Sequence, residues 1–435
     1  MVRPLLTRRR VLALAWPVVL AQTATATPGL VDTAVMGRTG TAADLAAVAV
    51  ASVTFSFVYW AFGFLRMATT GLTAQAVGAD DPDEVRALLQ RGLLVGLGLG
   101  LAIQVSHPLW RAASVGGFQA SAAVEMEAVR YMNARVFGAP AALMGFAING
   151  WLLGTGRTRA LLAFQLVLNL GNALLDAMFV GALGWGAAGI GAGTAIAEWL
   201  ALGVGIWLVR PGLRRASGLL DPARLRSLFQ ANSDILVRTL ALLGAFAWFV
   251  NAGAGLGDAE AGGNQVLLQF IAVSAFVLDA FAFIAEKETG EAVGARDPAR
   301  LRRAIRCTTE LALAAGAVFS VLFLFGGAPL IRIFIADPAA RDVALDFLPW
   351  CAAVPLLGVP AWQLDGIFLG ATRGRALRNA AVVATALYIG LDILLQDQGN
   401  VGVWWSFLAM YLLRAGALLP GLPGLQRAVR TPGTG

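Results

Sequence analysis

The sequence predicts an all-α polytopic membrane protein, with twelve transmembrane helices in two pseudo-symmetric six-helix bundles. The bundles are expected to be parallel repeats about an axis along the membrane normal. Three observations carry this reading: an apolar composition, a series of membrane-length apolar runs, and a repeat at one fixed offset.

Of 435 residues, 58% are hydrophobic and 14% charged, and the mean hydropathy is +0.71. A soluble domain carries about 25% charged residues. Apolar runs of roughly 20 residues, enough to cross a bilayer core, recur along the chain. The first follows Arg8, Arg9 and Arg10 directly. Neither a small-residue cleavage site nor a soluble domain comes after it, so it reads as a retained helix and not a signal peptide. The net charge of +7 fits arginines at cytoplasmic helix ends better than a nucleic-acid partner, since no soluble basic face exists to carry it. The expected surroundings are the lipid bilayer of a bacterial or archaeal plasma membrane. Cys307 and Cys351 read as small apolar fillers, and His107, beside Pro108 at an expected helix end, as a surface or interface residue. One histidine and two scattered cysteines argue against a transition-metal site.

Twelve helices are expected at about 11–36, 45–77, 88–107, 122–153, 160–181, 186–209, 233–256, 263–286, 305–325, 342–370, 379–396 and 402–421. Pro17, Pro28, Pro140, Pro355 and Pro360 are the expected kink points, because each removes a backbone donor. Loop charge sets the orientation. With a cytoplasmic N-terminus, 25 of the 33 basic residues fall on that side and five on the other. Arg66, Arg135 and Arg238 are left within helices. Both termini are therefore expected in the cytoplasm.

The chain repeats itself. AVGADDPDEVRALL from Ala76 matches AVGARDPARLRRAI from Ala292, and GTGRTRAL from Gly154 matches GATRGRAL from Gly370. Leu175-Asp176 and Leu391-Asp392 keep the same register, an offset of 216. Each half then holds six helices, an even number, so the halves share orientation. The expected organisation is an N-terminal lobe at 1–209, a cytoplasmic linker loop at 210–230 and a C-terminal lobe at 231–435. Two similar bundles that enclose a central cavity point to a transporter.

Ionisable groups at membrane depth cost roughly 2.5–3.5 kcal/mol on insertion scales, so each is a functional candidate. They are Asp32, Arg66, Asp176, Glu198, Asp279, Glu286, Asp365 and Asp392. Asn172 and Asp176 are four residues apart and share a helical face, as do Thr194 and Glu198 on the next helix. Adding 216 sends Asp32 to Trp248, Asn172 to Tyr388, Thr194 to Met410 and Glu198 to Arg414, and only Asp176 keeps its acid. The N-terminal half thus carries a polar constellation that the second half has lost, which places the expected coupling site in the first bundle. Asn149 maps onto Asp365, an acid that reads as isolated.

LVDTAVMGRTG, LRMATTGLTAQAVGA, NALLDAMFVGALGWGAAGIGAGTAIAE and WQLDGIFLGATR together resemble the multidrug and toxic compound extrusion (MATE) family, in its DinF branch. The resemblance spans nearly the whole chain. It implies secondary active efflux of amphipathic cations in exchange for H+ or Na+ by alternating access, with no cofactor. It also implies Asp32, Asp176, Asn172 and Thr194 as the cation-coupling set, Na+ being a candidate ligand of the two acids. Pro17 and Pro28 become the hinge of helix 1, and Tyr131 and Asn149 match the family's cavity positions. Gln165, Glu198 and Asp365 complete the expected substrate cavity. Trp151, Phe164, Phe249 and Phe281 are possible lining residues, each better read singly as core. The chain departs from the family in EKETGEAVG, where Lys287 and Glu288 put charge at the end of helix 8 and are expected to shorten it or alter gating.

Two carboxylates held together away from water share a proton or take up a cation. Loading either one removes the negative charge that attracts a cationic drug, and competition for one site then produces exchange. A monomer is expected. A lipid or lipid-precursor flippase of related two-lobe shape is the alternative, but it calls for a cationic cavity. An intramembrane aspartyl protease would need a GxGD-type signature, whereas these acids sit in GLVDTAV and ALLDAMF.

Overall fold

The computed structural model describes residues 6–25, 27–39, 41–117, 120–216, 219 and 221–429, with the backbone alone at 30, 33, 38, 39, 42 and 223–231. Arg3 and Arg430, counted in the loop charge, lie outside the described residues, as do the side chains of Arg38, Arg224 and Arg226. Among the described residues there is no strand. Twelve helical spans are long and apolar enough to cross a membrane: Arg8–Gly37, Ala43–Gly78, Pro82–Gly116, Ala122–Gly154, Thr158–Ala182, Gly186–Leu213, Asn232–Leu256, Asp258–Gly294, Pro298–Phe334, Pro338–Gly370, Gly374–Leu394 and Asn400–Ala428.

Several spans outrun the apolar runs that reveal them, because capping continues the helix into polar sequence. Asp81 accepts from Glu84 N–H at 2.9 Å, with Pro82 at the first helical position. Asp297 accepts from the N–H groups of Ala299 and Arg300, both at 2.9 Å, ahead of Pro298. A side-chain oxygen at this position satisfies an otherwise orphaned amide, and proline there loses nothing. The third span also runs through Pro108 to Gly116. His107 is therefore a buried mid-helix residue set edge-on to Trp110 at 4.8 Å, not a helix-end surface residue.

All five expected prolines mark irregularities or lie inside helices. The first span is helical over Arg8–Ala24, with Pro17 inside it, and again over Thr27–Thr39, with Pro28 in the opening turn. Pro140 follows a 3-10 turn at Val136–Gly138 that interrupts the fourth span. Pro355 and Pro360 lie within Pro338–Gly370 together with Pro349. The fifth span passes from α-helix into π-helix at Ala177–Ala182, immediately after Asp176.

The repeat is written into the backbone. Asp80 and Arg296, 216 positions apart, both adopt positive φ, at 55° and 51°. Gly156 and Thr372, the same distance apart, have φ of 72° and 52°. A β-branched residue in this region is strained, so Thr372 shows that the turn is imposed by its surroundings. Packing repeats as well. A methyl group on Gly78 would run into the carbonyl of Glu291, and one on Gly294 into the carbonyl of Gln75. Residue pairs swapped in this way by the repeat offset are the signature of a pseudo-twofold contact.

The chain divides into two compact units: Leu20–Thr73 with Asp81–Arg226, and Met1–Val19 with Ala74–Asp80 and Ser227–Gly435. In the first, Met36, Ala51, Phe55, Tyr59, Tyr131 and Met132 form part of one buried core. In the second, Phe249, Trp404, Phe407 and Tyr411 build an aromatic core in edge-on and tilted contacts. Both cysteines are buried and free.

Candidate cation site and cavity

Asn172 and Asp176 lie on the buried face of Thr158–Asp176, and Asp176 is fully buried. The Asp32 carboxyl meets that of Asp176 at hydrogen-bonding range. No donor is placed against either Asp176 oxygen or against Asp32 Oδ1 among the described residues. Asn172 approaches the pair, but its Nδ2 donates to Thr194 Oγ1 at 2.9 Å, and Thr194 Oγ1 donates to the Ile190 carbonyl at 2.9 Å. Asn172 Oδ1 is likewise buried without a donor. Asp32 Oδ1, both Asp176 oxygens and Asn172 Oδ1 are thus buried acceptors that lack a donor among the described residues. Buried acceptors are normally hydrogen-bonded, so the arrangement suits a proton shared between the acids or a hard cation, which prefers oxygen ligands. Among the described residues, no three His, Cys, Asp or Glu side chains cluster to hold a metal ion.

Gly193 lets this site close. A Cβ at that position would overlap Asp176 Oδ1, so the absence of a side chain allows the sixth span to press against the acid. Sequence reading picked out the neighbouring Thr194 and missed the glycine, which carries no chemistry of its own.

The internal repeat supplies a built-in comparison. At the positions equivalent to Asp32 and Asp176, Trp248 Nε1 donates to Asp392 Oδ2 at 2.8 Å. Ser406 Oγ donates to the other oxygen of Asp392 at 3.0 Å. The second copy of the acid is held by neutral donors, and the first is not.

A separate cavity of about 190 Å³ in the same unit is lined by Tyr59, Asn149, Phe164, Gln165, Asn169 and Glu198, among others. Asn149, Gln165 and Glu198 are thus brought together around one cavity, and Phe164 joins them. Tyr131 is not among the lining residues. It is buried in the adjoining core, its ring edge-on to Phe55 at 6.1 Å. Trp151 donates Nε1 to the Val85 carbonyl at 2.9 Å, and Phe249 is core.

Glu198 is not a free acid. Arg135 grips it with two bonds of 2.7 Å, reaches Tyr59 Oη at 3.3 Å, and lies over the rings of Phe55 and Tyr59 at 5.4 and 5.0 Å. Charge in the sequence could have suggested this pair, since Arg135 and Glu198 are both at membrane depth, but nothing in their spacing joins helices that are distant in sequence. Asp365 also departs from expectation. It belongs to the other unit, and Arg238 and Arg414 both bond its Oδ2, so it is neither isolated nor a lining residue of this cavity.

Lys287 and Glu288 do not shorten the eighth span, which is continuous over Asp258–Gly294. Lys287 Nζ contacts Glu288 and Glu291 at 2.7 Å each, and Arg300 bonds both of those glutamates. Buried charges persist when paired in this way.

Twelve apolar spans in a chain built of two copies define an integral membrane protein. The MatE family profile matches residues 17–197 and 235–394, and the chain belongs to that family, the MATE multidrug efflux transporters. It is 35% identical over 410 residues to the DNA damage-inducible protein F of Escherichia coli K12, covering 92% of this chain and 89% of that one. It is 32% identical over 349 residues to a probable multidrug resistance protein NorM of Aromatoleum aromaticum, covering 76% and 73%. A crystal structure of MATE in complex with MaD3S superposes with a TM-score of 0.88 at 17% identity, covering 98% of this chain and 97% of that one.

Proposed function

We propose that the protein is a cation-coupled antiporter that exports amphipathic cations by alternating access, with Asp32 and Asp176 as its shared coupling site. The single observation that carries this reading is the contrast between the two repeats: Asp392 receives two hydrogen bonds, whereas Asp176 receives none among the described residues. A structural acid is held by donors, and an acid that must load and unload a cation is left accessible to one.

Asn172 and Thr194 position the site, their side-chain bond setting how Asn172 faces Asp176. The neighbouring cavity receives the drug, with Asn149, Gln165 and Asn169 as neutral polar contacts, Phe164 and Tyr59 as aromatic walls, and Glu198 neutralised by Arg135. An inward-moving H+ or Na+ loads the acid pair, removes its negative charge and releases the bound cation outward. The turn at Thr25, with Pro28 close behind it, lets the Asp32 segment shift relative to Arg8–Ala24. In this reading the protein is a monomer in the plasma membrane of a bacterium or archaeon, with both termini cytoplasmic.

The test is ethidium efflux from proteoliposomes under an imposed pH gradient, with and without a Na+ gradient, for the native chain and Asp32→Asn. Efflux that follows one gradient and is lost in the variant supports the antiporter and identifies the ion. Gradient-driven efflux retained in Asp32→Asn would remove the acid pair from the mechanism.

A further inference from the structure

A hollow in the second unit lies where the start of the first span meets the start of the ninth. It has a volume of about 710 Å³ and is lined by Arg8, Arg302, Arg303 and Arg306 against a single acid, Glu310. Glu310 ties the two helices: Arg8 contacts it at 2.7 Å and Arg306 at 2.8 Å. Arg303 Nε donates to the Leu6 carbonyl at 2.6 Å, which holds the chain entering the first span against the ninth. Arg302 makes no ion pair among the described residues. Four guanidinium groups thus face one carboxylate in a concave site. The excess positive charge is arranged by specific contacts and not merely scattered along a loop.

Apolar surface begins directly below. Leu12 and Trp16 are exposed on the first span, about one and two turns in from Arg8, and Leu313 on the ninth, about two turns in from Arg306. Guanidinium forks over an apolar helix pair match a molecule with a phosphodiester at one end and hydrocarbon at the other. Basic pockets between transmembrane helices bind anionic headgroups for this reason. We propose that this groove is a binding site for one anionic phospholipid, its phosphate held among Arg8, Arg302 and Arg306 and its acyl chains running along Leu12, Trp16 and Leu313. The bound lipid fastens the start of the first span to the ninth. None of the coupling acids lines this site, and it does not depend on which ion they take.

Native mass spectrometry of the full chain in detergent tests the assignment, with dioleoylphosphatidylglycerol, dioleoylphosphatidylcholine and inorganic phosphate as probes. The native protein is expected to retain one phosphatidylglycerol under activation that strips phosphatidylcholine. Each basic residue contributes about five-fold to anionic-lipid affinity, so Arg302→Gln with Arg306→Gln is expected to weaken retention ~30-fold. Arg214→Gln with Arg215→Gln, which removes the same charge elsewhere, is expected to leave it unchanged. Arg302→Glu, at an exposed position outside the Glu310 bridges, is a single-site check expected to weaken retention at least as much as one lost arginine. Equal loss in both double variants would reduce the site to diffuse attraction and overturn it. Equal retention of phosphatidylcholine would do the same. Inorganic phosphate competing as well as the lipid at equal concentration would assign a free-anion site and overturn the lipid.

Discussion

Trp248 donates its indole N–H to Asp392 at 2.8 Å, and the 216-residue offset places these two residues where the first repeat has Asp32 and Asp176. One architectural position therefore holds an acid satisfied by a neutral donor in one copy and an acid facing another acid in the other. The same inversion recurs nearby. Arg414 stands at the position of Glu198, and Asp365 at that of Asn149; in the second copy these two are bonded to each other.

Asp176→Asn and Asp392→Asn should separate function from stability. The first is expected to lower gradient-driven efflux at least ten-fold without lowering the thermal unfolding temperature. The second leaves the hydrogen bonds of Trp248 and Ser406 compromised and should cost about 1–3 kcal/mol, with coupling retained. Efflux assays and unfolding scans in detergent on both variants decide it. Equal loss of coupling in the two would show that the repeats do not differ as their hydrogen bonds indicate.

Gly193→Ala places a methyl group where the Asp176 carboxyl lies. Efflux is expected to fall at least ten-fold in protein that still elutes as a single species. Gly203→Ala is the control on the same span, because its added carbon meets nothing within 4 Å. Wild-type transport by Gly193→Ala would show that the sixth span moves aside at no cost.

Arg135→Gln leaves Glu198 buried without its bidentate partner, and breaking such a pair costs about 3–5 kcal/mol. Replacing both, as Arg135→Met with Glu198→Met, should be milder than either single change. A double-mutant cycle on unfolding temperature measures the coupling. Additive penalties would mean that the two side chains do not support each other.

Lys287→Met should destabilise the second unit by about 3–5 kcal/mol, since Glu288 and Glu291 then share Arg300 alone. Glu288→Gln added to it should restore part of the loss. Unfolding of the single and double variants checks both signs, and a neutral Lys287→Met would place the charge of this cluster outside the stability of the fold.

Much of the architecture was legible because its determinants are local. Span length, loop charge and the repeat register depend on composition along the chain, and the matched turns at Asp80 and Arg296 follow from the matched strings that contain them. Extents were less legible. Apolar periodicity stops before the capped turns at Asp81 and Asp297, and His107 was assigned to a helix end because Pro108 breaks helices in water more readily than in a membrane.

The candidate site divides in the same way. Asn172 and Asp176 lie on one face because of four-residue spacing, which the sequence by itself determines. That Asp32 faces Asp176, that Gly193 makes room for the carboxyl, and that Arg135 rather than solvent answers Glu198 were decided by tertiary structure. So was the capture of Asp365 by Arg238 and Arg414. Each brings together groups far apart along the chain. The physical reason is that a lone charge at membrane depth is too costly to keep. The sequence shows that each one needs a partner, and only the packing of helices determines which partner it has and which acids are left facing each other.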